Sequence, residues 1–121
     1  MENTISTSAK NLLEVFNKVQ GLYFCLDTGH SNLGDEKNRP ISLLNAFGEK
    51  IRHIHAHDNL GGPEEIANDL HLPIGLGNID FLMIFKKLKE INYSGNITLE
   101  IHKFEENDRK ESIDRIKKLL Q

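Results

Sequence analysis

Residues 51–79 read IRHIHAHDNLGGPEEIANDLHLPIGLGNI. The stretch opens as a strand from Ile51 to Ala56, with His53, His55 and His57 at alternate positions. Period-two spacing puts the three imidazoles on one face. Asp58 follows, then a polar, glycine-rich loop, and Asp69 and His71 stand two apart. Four histidines and two aspartates thus fall within 19 residues. Imidazole and carboxylate at short spacing are what a zinc- or manganese-type ion needs. Taken singly, each histidine reads equally well as a solvated strand-end residue. Taken together they point to a metal site, because two more segments supply matching ligands.

Those segments lie on either side. Leu22 to Leu26 is a short apolar strand followed by Asp27, and Asn96 to His102 is a third strand carrying Glu100. Helical patterns separate the strands. Residues 5–20 carry an apolar stripe at Leu12, Leu13, Phe16 and Val19, with Ser6, Thr7 or Ser8 as cap and Gly21 as stop. Pro40 suits the first turn of a second helix that Gly48 ends. Asp80 caps a third, with Phe81, Ile84, Phe85, Leu88 and Ile91 on one face. Asp108 and Glu111 have capping-box spacing for a fourth, running to about Leu120.

Strands alternating with helices over short connections imply a parallel sheet, hence an α/β fold. If Asp27 and Glu100 point inward, Leu22, Phe24 and Leu26 and then Ile97, Leu99 and Ile101 face the helices. The inner face then carries Tyr23, Cys25, Ile51 and Thr98. The ionisable groups sit at the C-terminal strand ends, away from the helix layer, where barrel enzymes place their chemistry. A doubly wound open sheet needs both strand faces apolar, and the phosphate-type glycine loop is absent.

The chain has 121 residues, enough for one domain spanning 1–121, with a net charge of −3. No basic run supports nucleic-acid binding. One cysteine, Cys25, cannot form an internal disulfide, so a cytoplasmic location is expected. No apolar run reaches membrane-spanning length, and the polar start is no signal peptide.

The runs CLDTGHSNL, HIHAHDN, DLHLPIGLGNIDF and GNITLEIH resemble the sugar phosphate isomerase/epimerase superfamily, whose barrel is shared with xylose isomerase and with endonuclease IV (AP endonuclease family 2). The resemblance implies a partial (β/α)8 TIM barrel: about three parallel strands with alternating helices, corresponding to the C-terminal half. It implies a divalent metal, Mn2+ or Zn2+ with Co2+ or Mg2+ as further candidates, held by Glu2, Asp27, His55 and Glu100. Glu2 and Glu100 would act as base and acid through an enediolate. Endonuclease IV-like members bind further metals, and His30, Asp69 and His71 match one such set. In related isomerases the matching histidine contacts substrate instead. Two departures stand out. Asn59 to Ala67 lacks the arginine that sugar epimerases of the family often carry. The chain also begins where the family's fifth strand ends, so the first half of the barrel is expected to be missing.

The leading expectation is a metal-dependent sugar (phosphate) isomerase or epimerase, weak or inactive alone, acting on a small sugar or sugar phosphate. One alternative is an endonuclease IV-like AP endonuclease, a metal-dependent phosphodiesterase. Another is a non-catalytic metal-binding remnant or assembly subunit. Open sheet edges imply a homodimer, or association with a missing N-terminal half. His53 reads as a hydrogen-bonded inner-face residue, His57 as a group orienting a ligand, His102 and Cys25 as structural, and Gly61 to Glu65 as a mobile loop.

Overall fold

A computed structural model describes residues 1–5, 8–36, 38–102 and 104–121. Apolar residues alternating with histidines make β2 (Ile51–Ala56) the central strand, bounded as the sequence predicts. β1 (Phe24–Asp27) and β3 (Asn96–Leu99) flank it, both parallel to it. The outer strands are shorter than their apolar runs. Beyond Leu99 the chain bends away. Glu100 N–H still donates to the Ala56 carbonyl at 3.1 Å, but His102 N–H donates to that of His71 at 3.3 Å.

One side-chain placement differs from strict alternation. Phe24 pairs with Ile51, but Cys25 pairs with His53, so Arg52 is an extra residue in β2. This β-bulge turns Ile51 away from the inner face and into the core, where it is buried.

Among the described residues, four α-helices cover one side. α1 (Ala9–Lys18) is capped by Ser8, whose Oγ accepts from Asn11 N–H at 3.2 Å. Ser6 and Thr7, the other predicted caps, lie outside the described residues. α2 (Arg39–Phe47) carries Pro40 in its first turn, and α3 (Phe81–Glu90) is capped by Asp80 as predicted. α4 (Glu106–Leu120) corrects the expected capping box: the reciprocal pair is Glu105 and Asp108, not Asp108 and Glu111. Glu105 already has extended backbone, so the helix starts three residues earlier.

The core lies between sheet and helices. Phe24, Leu26, Ile54 and Ala56 meet Phe47, Phe81, Ile84 and Phe85, all buried. The rings of Phe16, Phe24 and Phe47 sit 4.8–6.2 Å apart. Full burial of one such side chain stabilises by about 1.5–3 kcal/mol. The opposite face carries Tyr23, which is 55% exposed, with Cys25, His53 and Thr98.

The first residues form a fourth strand position. Glu2 bridges Cys25 in parallel, and Cys25 N–H donates to the Met1 carbonyl at 2.7 Å. The Asn3 side chain accepts from Asp27 N–H at 2.9 Å and donates to the Asp27 carbonyl at 3.0 Å. Terminal residues usually fray; this one is fastened to β1 beside the Asp27 carboxylate. The assembly therefore matches a partial barrel whose strands end on one rim. No helix among the described residues is long and apolar enough to cross a membrane.

Candidate metal centre

Asp27 ends β1, His55 lies in β2, Glu100 follows β3, and Glu2 stands beside Cys25. The pairing of Asp27 with His55 brings β1 and β2 level at the rim. His55 Nδ1 lies 3.1 Å from Glu2 Oε1 and 3.1 Å from Glu100 Oε1. A single ring nitrogen cannot satisfy both carboxylates, so excess negative charge remains between them. His30 Nδ1 is 3.5 Å from Asp27 Oδ2 and 3.9 Å from Glu2 Oε1.

Asp27 is fully buried. Burial alone would raise its carboxyl pKa, but the hydrogen bond from His57 and the charges of His57 and His30 outweigh it, holding the pKa below its ordinary value. His57 Nε2 is 2.9 Å from Asp27 Oδ1. The ring is itself buried, and Gly29 makes room for it: a Cβ there would run into the imidazole.

A second group sits beside the first. Asp69 Oδ2 is 3.2 Å from His30 Nε2 and 3.1 Å from His71 Nε2. His71 has left-handed backbone, φ 47°, and its Nδ1 lies 2.6 Å from the Glu100 carbonyl. The His57 and His71 rings stack at 3.7 Å with 4° between planes, and His102 stacks on His71 at 4.0 Å and 9°.

The donor chemistry fits divalent ions. Ligand atoms about 2.1 Å from one ion lie roughly 3–4 Å apart. Among the described residues, four sets each offer one ligand atom per residue within 4.8 Å of one another; three of them are Asp27, His55 and Glu100; Glu2, Asp27 and His30; and His30, His57, Asp69 and His71. Asp27 Oδ2, His57 Nδ1 and Asp69 Oδ1 are buried and make no hydrogen bond. A buried polar atom left without a partner costs about 1–3 kcal/mol, which coordination would offset.

The expected ligands Glu2, Asp27, His55 and Glu100 therefore converge, although in overlapping sets rather than one. His30, Asp69 and His71 also converge. His57, read from sequence only as an orienting group, joins the second set as a full member, and its inward direction follows from the period-two pattern. Cys25, set aside as structural, lies in a further donor set with Glu2 and His55. Its thiol is pushed up to about 12 by burial and then by Glu2 and Asp27. Asp58 belongs elsewhere. Its carboxylate accepts from the N–H groups of Asn59, Gly75 and Ile79, fastening the loop that leads into α3. His53 meets Thr98 Oγ1 at 2.8 Å, a hydrogen-bonded inner-face residue as predicted.

The loop after β2 is pinned at both ends. Asp58 and Leu72 exchange backbone hydrogen bonds of 2.9 and 2.8 Å. At the tip, Gly34 N–H donates to the Gly62 carbonyl at 2.8 Å, and Glu64 pairs with Arg39 at 3.0 Å. The loop expected to be mobile makes these contacts with its neighbours.

Metal-type donors at the C-terminal ends of parallel strands are the arrangement of barrel enzymes. Residues 1–119 match the family model described as xylose isomerase-like TIM barrel. The chain belongs to this family. It is 37% identical over 98 residues to the uncharacterized protein MJ1311 of Methanocaldococcus jannaschii, covering 79% of this chain and 32% of that protein. It is 33% identical over 91 residues to an inosose dehydratase of Clostridium beijerinckii, covering 65% and 30%. A solved D-tagatose 3-epimerase-like protein superposes with a TM-score of 0.78 at 34% identity, covering 98% of this chain and 45% of that one. The chain spans about a third of the length of these curated relatives.

Proposed function

We propose that this chain supplies the metal-binding wall of a sugar isomerase or epimerase site. The observation that carries the reading is the convergence of Glu2 and Glu100 on His55. β2 is the central strand, so the two carboxylates reach it from opposite sides. Glu2, Asp27, His55 and Glu100 would hold a Mn2+ or Zn2+ ion, with Co2+ or Mg2+ as alternatives. A bound ion would supply Lewis-acid polarisation of neighbouring carbonyl and hydroxyl oxygens of a sugar.

The chain's own groups do the rest. Glu2 and Glu100 flank the place where a ketose carbon would sit. One carboxylate removes the proton α to the carbonyl, and the other group, protonated as the carboxylic acid in the substrate complex, delivers its proton to the opposite face of the enediolate. Asp27, kept ionised by His57, holds negative charge beside them. The similarity to an epimerase-like structure supports sugar chemistry of this class. The wall opposite would come from a second copy or from an N-terminal half, because the outer edge of β3 pairs with no strand among the described residues.

The test is proton exchange. The purified chain with Mn2+ is incubated with ketopentoses and ketohexoses in deuterated water, and deuterium α to the carbonyl is followed by NMR. Slow, metal-dependent incorporation that Glu100→Gln abolishes is the expected result. Bound metal without incorporation would overturn catalysis and favour a metal-binding subunit.

One observation favours a second reading. His30, His57, Asp69 and His71 offer a complete donor set of their own. Two or three ions per chain would favour phosphodiester cleavage of the endonuclease IV type, in which several metals activate water and the leaving oxygen. One ion per chain favours the isomerase.

A further inference from the structure

Arg39 is a buried cation far from the strand ends in sequence, and it is only 2% exposed. Asn38 before it takes the left-handed conformation, φ 58°, which asparagine tolerates better than most residues. The Arg39 guanidinium then reaches three separate stretches of chain. Nη1 donates to the carbonyls of Leu33 at 2.9 Å and Ile5 at 3.2 Å, and to Glu64 Oε1 at 3.0 Å. Nη2 donates to the carbonyls of Thr4 at 3.3 Å and Ile5 at 3.2 Å.

Each stretch lies close in sequence to donors of the metal centre. Thr4 and Ile5 follow Glu2, Leu33 follows Asp27 and His30, and Glu64 precedes Asp69 and His71. A planar fork with five donors can grip several acceptors at once; an ammonium cannot hold the same set. The seat of Glu64 is also built. A Cβ at Gly34 would come within 2.7–3.1 Å of the Glu64 side chain, so glycine leaves the carboxylate its place.

We infer that Arg39 is a positioning residue that registers the three donor-bearing rim segments against one another, with Glu64 as its releasable partner. Two of the three grips are to backbone carbonyls of the short segments after Glu2 and His30. The third depends on a side chain that is 41% exposed. The loop carrying Asp69 and His71 is therefore the segment that lets go first. The inference rests on the reading of this rim as the site, but the loop's attachment is measurable without metal or substrate.

The experiment is hydrogen exchange by mass spectrometry on the metal-free chain and on Glu64→Ala, Glu64→Gln and Arg39→Lys. A pair with one partner in solvent is worth about 0.2–1 kcal/mol. Glu64→Ala should therefore speed exchange across residues 60–70 by roughly 1.4- to five-fold, leaving β2 and α3 unchanged. Glu64→Gln keeps an acceptor oxygen and should restore most of the protection. Arg39→Lys should speed exchange in 60–70 and in 30–34 together. Unchanged exchange over 60–70 in Glu64→Ala would overturn the inference. So would uniform acceleration across the sheet, which would make the contact one of global stability. Loss of metal binding or turnover would count against the proposed function and leave this result standing.

Discussion

Gly29→Ala is a change of one methyl group whose consequence depends on a single neighbour. Gly29 has right-handed helical backbone, φ −69° and ψ −50°, which alanine adopts freely. At such a position alanine normally stabilises by about 0.4–1 kcal/mol, through the unfolded state. Here the new Cβ meets the His57 ring, which is buried and held by Asp27. Overpacking of this kind costs about 1–3 kcal/mol. For a chain of 121 residues that is a fall in Tm of roughly 3–15 °C. The test is a double-mutant cycle with His57→Ala, followed by urea unfolding at pH 7 in chelator, so that bound metal adds nothing. His57→Ala alone should destabilise, since it leaves the buried Asp27 carboxylate with only the His30 N–H, at 2.7 Å, and the His30 ring beside it. On that background Gly29→Ala should change sign and stabilise, giving a coupling of about 1.5–4 kcal/mol. Additivity within about 0.5 kcal/mol would refute the contact between Gly29 and the ring.

Glu100→Gln preserves shape but removes one of two carboxylates at His55; affinity for Mn2+ by titration calorimetry should fall at least about ten-fold, and unchanged affinity would remove Glu100 from the ligand set. Cys25, with its thiol pushed up to about 12, should alkylate with iodoacetamide at pH 8 far more slowly than a free thiol, and a free-thiol rate would show the inner face open to solvent. Light scattering on a sizing column at micromolar concentration should give a mass of two chains, since unpaired edges recruit strands; a compact, cooperatively unfolding monomer would contradict the proposed assembly.

The central strand was readable because its apolar residues and histidines alternate without interruption from His53 onward. Ile51 was misplaced because nothing local in the sequence marks the bulge at Arg52. Asp27, His55 and Glu100 were singled out by the family resemblance; parity along the strands says only which neighbours share their faces. What stayed hidden was long-range. Asn3 holds Asp27 across 24 residues, and Arg39 reaches Ile5 across 34. Asp58 looked like a ligand by type, but three backbone N–H groups already claim its carboxylate. The capping box moved because Glu105 and Asp108 offer the same spacing as Asp108 and Glu111, and only the extended backbone at Glu105 distinguishes them.

The stack of His57, His71 and His102 has a magnetic consequence. The middle ring lies face to face with an imidazole on each side, so its own protons fall within the shielding cones of both neighbours. In a proton spectrum the His71 ring should resonate upfield of a free histidine, and it should do so only while the column is closed. Its Asp69 neighbour ties that signal to the donor set below, making the resonance a native reporter of the rim that requires no label.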